Sequence, residues 1–224
     1  MDRAHLIEQG NTCYETGRYE EALDAFACII ELDPNDSFAH TSRGSCLQQL
    51  GRDKEALAAY TDAIRRDPTN VLAYCGIGST LFALGCSREA FIVLGKALQL
   101  NPSDAVVYRS LGDILSDSKR YQEALDAYVR ALQLHPSCAS IYNNLGILLQ
   151  EMQRYDAAVR AYVQAIELAP HKAIYYYNLG MVLGHLGRSK QAEQAYRKAQ
   201  QLGFTVAEYE EVNRGRDSQH PGQA

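Results

Sequence analysis

Five prolines, Pro34, Pro68, Pro102, Pro136 and Pro170, follow one another at intervals of 34 residues without an insertion or a gap. A fixed period of that size marks a chain made of copies of one unit, each too small to bury an apolar face without its neighbours. Each proline sits among turn formers, as in Asp33-Pro34-Asn35-Asp36, Asp67-Pro68-Thr69-Asn70 and Asn101-Pro102-Ser103-Asp104. Proline ends an incoming helix because it has no amide N–H to donate. The Asn, Asp or Ser that follows offers an oxygen to the next helix's first free N–H groups.

Other residues keep the same register. Glycine recurs at Gly10, Gly44, Gly78, Gly112, Gly146 and Gly180, and alanine at Ala22, Ala56, Ala90, Ala124, Ala158 and Ala192. A ring or large aliphatic follows each alanine: Phe26, Tyr60, Leu94, Tyr128, Tyr162 and Tyr196. Small residues let two helices approach and a large one fills the space beyond, so both kinds must keep the period. Within a unit the apolar pattern is helical twice. Tyr142, Leu145, Leu148, Leu149 and Met152 form one stripe, and Tyr155, Ala158, Tyr162, Ala165 and Ile166 form another after a break at Gln153-Arg154. No segment alternates with period two long enough to be a strand. The expected element is an αα-hairpin, and the expected class is all-α.

This pattern resembles the tetratricopeptide repeat (TPR), with six units at 3–36, 37–70, 71–104, 105–138, 139–172 and 173–206. The sixth unit departs from the rest, with Gly203-Phe204 where the terminal proline should stand. The first has Ile29 where others have Ala63, Ala97, Ala131, Ala165 and Ala199. The resemblance implies a right-handed superhelical α-solenoid whose first helices line a concave groove. Residues 207–214 read as a capping helix with Tyr209 and Val212 inward, and 215–224 as a disordered polar tail.

In TPR proteins that groove receives an extended peptide or a helix of a partner. The groove side of the first helices is then expected to carry Phe38, Leu72, Arg109, Asp113, Asn143, Asn144 and Asn178. Arg109, Asn144 and Asn178 are spaced to approach one another. Asparagine offers a donor and an acceptor, suited to clamping peptide backbone, and arginine suits a carboxylate. Asparagine before Leu-Gly is also common in ordinary TPR units. Phe38, Leu72, Val106 and Ile174 form an apolar row that either anchors a partner or packs on the preceding unit. A chaperone-type carboxylate clamp is not expected: Ile7 stands in place of its first lysine, and Leu72 and Gly76 replace its later lysine and arginine.

Composition narrows the rest. The net charge is −5 and the pI about 5.7, with no basic footprint for nucleic acid. No apolar run reaches membrane-spanning length, and the first ten residues do not read as a secretory signal. Six unpaired-looking cysteines fit a cytoplasmic protein. No nucleophile, phosphate-loop or zinc motif is present; His135 and Cys138 lack further ligands, so no enzyme activity, metal or cofactor is expected. The expected function is a protein-binding scaffold. Two alternatives remain open: head-to-tail self-assembly of an acidic first unit on a basic sixth, and a regulatory module working with a separate enzyme. The second is disfavoured because Met1 and the polar tail closely bound the array.

Overall fold

The computed structural model describes residues 2–205, so the expected capping helix at 207–214 and tail at 215–224 lie outside the described residues. Among these residues there are twelve α-helices and no strand. The first helices of the hairpins are α1 (Arg3–Glu15), α3 (Ser37–Gln49), α5 (Val71–Ala83), α7 (Ala105–Asp117), α9 (Ala139–Glu151) and α11 (Ala173–His185). The second helices are α2 (Tyr19–Leu32), α4 (Asp53–Arg66), α6 (Ser87–Leu100), α8 (Tyr121–Leu134), α10 (Tyr155–Leu168) and α12 (Ser189–Gln201). Both series start at intervals of 34 residues. The chain divides into two compact units, Met1–Ser110 and Leu111–Ala224, with the boundary inside α7.

In the first unit α1 pairs with α2, α3 with α4 and α5 with α6, and the hairpins join through α2 on α3 and α4 on α5. In the second unit α9 pairs with α10 and α11 with α12, joined through α8 on α9 and α10 on α11. Polar caps start several first helices. Asp36 accepts from the N–H of Ala39 at 2.9 Å, Asn70 from that of Ala73 at 2.9 Å and Asp104 from that of Val106 at 2.8 Å. The turn inside each hairpin is a Schellman motif, in which Arg18 N–H donates to Cys13 and Arg52 N–H to Leu47, each at 2.8 Å. Its left-handed residue is Gly17, Gly51, Gly85 and Gly187 in four hairpins, but Lys119 (φ 58°) and Gln153 (φ 57°) in the other two.

Each hairpin closes on a glycine pressed against a side chain of the second helix. A Cβ on Gly44 would stand 2.7 Å from the Tyr60 ring, and one on Gly10 2.8 Å from Phe26. The corresponding distances are 2.6 Å for both Gly112 against Tyr128 and Gly146 against Tyr162. Gly76, from the following helix, lies against Tyr60 as well, so Gly76-Ile77-Gly78 is a packing feature. Tyr60, Tyr128 and Tyr162 are buried, whereas Tyr108, Tyr142 and Tyr176 are half-buried at the start of their helices.

Hairpin joins hairpin mainly through buried, mostly apolar residues at two fixed places in the first helices after α1. Ala39 and Cys46 of α3 pack into the core formed by Leu6, Cys13, Ala22, Phe26 and Ile29. The equivalent pairs Ala73 and Thr80, Ile141 and Leu148, and Tyr175 and Val182 are also buried. In α1 the same two places hold His5 and Thr12, both exposed. On second helices the reciprocal contact uses residues such as Leu23 and Ile30, half-buried against the neighbouring core. In α12 those places hold the exposed Glu193 and Gln200. The first and last described helices thus present polar outer faces, as end repeats require.

Two substitutions of the same kind should act with opposite sign. Gly44→Ala must displace the Tyr60 ring and should lower stability in urea denaturation by about 1–3 kcal/mol, despite alanine's better helix propensity. Gly95→Ala, in the middle of α6 where a Cβ meets nothing within 4 Å, should raise it by roughly 0.5–1 kcal/mol.

Candidate functional site: a polar ladder on the first helices

Four of the expected site residues meet in the second unit. Asn178 Nδ2 donates to Asn143 Oδ1 at 2.9 Å, Asn143 Nδ2 to Asn144 Oδ1 at 3.3 Å, and Asn144 Nδ2 to Asp113 Oδ1 at 2.8 Å. The hydroxyl of Tyr128 donates to the same carboxylate oxygen at 2.6 Å. A carboxylate can only accept, so Asp113 fixes the orientation of Asn144, which fixes Asn143, which fixes Asn178. The result is a hydrogen-bond chain of single polarity crossing three successive first helices.

Burial divides this chain into two kinds of residue. Asn143 and Asn178 are only 8% and 4% exposed, so their main work is to hold one another and their neighbours. Asn144 and Asp113 are half-buried and reach the surface. Ile147, one turn from Asn143, is 39% exposed and adds an apolar contact beside them. Asn144 gives one amide N–H to Asp113; its second N–H is the donor suited to a ligand carbonyl. Tyr128 is a member that the sequence reading placed wholly in packing. The relevant signal is a pairing within the repeat: the ring tyrosine faces the residue after the glycine. The equivalent Tyr60 hydroxyl donates to Ser45 Oγ at 3.2 Å.

The remaining expected site residues lie in the first unit. The positive charge of Arg109 acts on Tyr14 of α1 and on Cys75 of α5, opposing in each the upward push of burial. Phe38 and Leu72 occupy the second place of α3 and α5 and are 40% and 53% exposed. Phe38 also meets Phe26 of the preceding hairpin edge-on, with ring centroids 6.2 Å apart. It therefore packs on its neighbour and faces solvent at once.

The other chemistry-bearing groups are spread out. All six cysteines are free thiols, and burial raises Cys46 and Cys75 to about 11. At Cys138 burial again pushes upward, but hydrogen bonds with Ser140, His135 and the N–H of Ile141 prevail and bring the thiol below its ordinary value. No group of His, Cys, Asp and Glu among the described residues is arranged to hold a metal ion. No helix among them is long and apolar enough to cross a membrane.

If the buried amides act as a positioning unit, their deletion must cost more than that of the surface member. Asn143→Ala should destabilise by about 1–3 kcal/mol in urea, because it leaves the Asn178 amide unpaired. Asn144→Ala should cost about 0.5–1.5 kcal/mol. The double variant Asn143→Ala/Asn178→Ala should cost less than the sum of its two single variants.

Comparison with known proteins agrees with this architecture. A tetratricopeptide-repeat family model matches residues 7–71, and another matches 103–171 and 137–202. A search of the curated proteins returns no match. Among solved structures, MamA is 28% identical, covering 71% of this chain and 93% of that one, with a TM-score of 0.56. TTC0263, a thermophilic TPR protein of Thermus thermophilus, is 24% identical over 81% of this chain and 99% of that one, at a TM-score of 0.75. YrrB, described as a TPR protein with an unusual peptide-binding site, is 23% identical over 81% and 93%, at 0.52. The last two likenesses speak for the fold alone. The hairpin period, the glycine–ring contacts and the two matching family models together make this chain a member of the tetratricopeptide-repeat family.

Proposed function

We propose that this protein is a non-catalytic scaffold that holds an extended segment of a partner protein along the polar ladder of its second unit. TPR arrays are protein–protein interaction scaffolds, and the finer assignment rests on one observation: the hydrogen-bond chain from Asn178 through Asn143 and Asn144 to Asp113. The carboxylate of Asp113 and the amide of buried Asn143 hold the side chain of Asn144 before any ligand arrives, which lowers the ordering cost of binding. Asn144 then donates to a backbone carbonyl of the partner, and Ile147 takes an apolar side chain beside it. Such contacts grip backbone and tolerate varied sequence. The six free thiols support a reducing compartment such as the cytoplasm.

Affinity capture from cell lysate, read by quantitative mass spectrometry, tests the scaffold reading. A partner retained by the wild type should fall by about tenfold with Asn144→Ala/Ile147→Ala, the loss of about 1.4 kcal/mol, with helicity unchanged. Identical partner lists would remove the ladder from the binding site.

Self-assembly is the second reading, favoured by an acidic first hairpin and a basic last one. Long-range attraction steers encounter, but a stable junction needs buried apolar area. The faces that would meet carry His5 and Thr12 on α1 and Glu193 and Gln200 on α12, all exposed. Light scattering after size exclusion should therefore report a monomer at low and at high salt. Concentration-dependent growth reversed by salt would instead establish assembly.

A further inference from the structure

We propose that the outward face of α6, a second helix, is an interaction surface for an amphipathic helix of a partner that carries acidic residues beside its apolar stripe. The surface uses none of the ladder residues and none of the first helices. Ile92 is 65% exposed, and it stands where the other second helices have Asp24, Ala58, Asp126, Arg160 and Gln194. Packing within the repeat therefore does not account for an isoleucine here. One turn further along the same face is Gly95, where a Cβ would meet nothing within 4 Å. Every other second helix has a side chain at that place, and a glycine inside a helix lowers stability when no close contact requires it. An isoleucine followed by bare backbone forms a ridge and a notch, the relief on which a second helix packs closely.

Charge decides the chemistry of the occupant. Arg88 and Lys96 lie four residues before and four after Ile92, on its face of the helix. Both are exposed, and neither forms an ion pair among the described residues. The ammonium of Lys96 stands over the Tyr74 ring, 5.2 Å from its centroid, which holds the charge beside the notch. α6 has one carboxylate, Glu89, which is adjacent to Arg88 in sequence, so their side chains do not face each other. Two turns, about 10 Å along the axis, separate Glu89 from Lys96. Exposed Gln99 extends the row, which runs from Arg88 for about 16 Å, the length of three turns of a partner helix. An apolar anchor flanked by two unneutralised cations selects carboxylates on the helix that approaches it.

Two synthetic helical peptides with leucine at places i, i+3, i+4 and i+7 test this, one with glutamates beside the leucines and the other with lysines. Both are titrated by fluorescence anisotropy against the full chain. The glutamate peptide should bind about tenfold more tightly than the lysine peptide. Gly95→Leu fills the notch where the fold leaves open space, so it should weaken the glutamate peptide about tenfold without lowering the melting temperature. Ile92→Ser should weaken it to a similar extent, and Arg88→Glu/Lys96→Glu should reverse the preference between the peptides. Asn144→Ala/Ile147→Ala should leave both affinities unchanged. Equal affinity for the two peptides, no binding of either, or indifference to Gly95→Leu would each overturn the proposal. Loss of binding through Asn144→Ala/Ile147→Ala together with indifference to Gly95→Leu would overturn it while leaving the scaffold reading intact.

Discussion

The structure depends on the contact between a glycine on each first helix and a large side chain on its partner helix. With 2.6–2.9 Å between a would-be Cβ and the opposing side chain, no residue larger than glycine fits unless the neighbour moves. The ring in turn replaces the volume that a side chain on the first helix would have supplied. Helix separation, the depth of the hairpin core and the direction of the first helix's outward face all follow from this contact. It recurs at one place in every hairpin because a displaced hairpin would misplace the surface offered to the next.

Polar groups do a different job on the same scaffold. In the second unit the carboxylate of Asp113 orders three amides in sequence, since its inability to donate leaves each one a single orientation. Burial makes this ordering strong, because an amide out of register would lose its partner with no water to replace it. In the first unit the same side of the helices carries Ser42, Ser45, Gly76 and Ser79 and is instead marked by Phe38 and Leu72. The two units therefore carry different side chains on one backbone plan, a hydrogen-bonded polar chain in one and two exposed apolar residues in the other.

The first and last described helices differ from the rest on their outer faces. Places filled by Ala39 and Cys46, or by Leu23 and Ile30, inside the array are taken by His5 and Thr12 on α1 and by Glu193 and Gln200 on α12. At the last hairpin Gly203 turns the chain with φ 89°, and Phe204 donates its N–H to Ala199 and stacks on Tyr177 at 4.4 Å between centroids. The departure from the repeat pattern at Gly203-Phe204 thus has a physical use, because the aromatic ring packs on Tyr177 of α11.

The proline, glycine and ring spacings alone determined the family, the helix pairs and the small-against-large packing, because these are one-dimensional requirements repeated six times. Asn143, Asn144, Asn178 and Asp113 were also visible as groove candidates from their places on the first helices. Their pairing was not: Asn178 meets Asn143 rather than Asn144, and Tyr128 joins through its hydroxyl. Periodicity gives a residue's side of a helix but not which neighbour its polar tip can reach, a matter of ångströms between helices. Likewise Lys119 and Gln153 take the left-handed turn where glycine stands elsewhere, since a hydrogen-bonded turn held by packing on both sides tolerates strain that local preference would avoid. The repeat is written in the sequence; the polarity of the ladder and the division of labour between buried and surface amides arise only when the helices are packed.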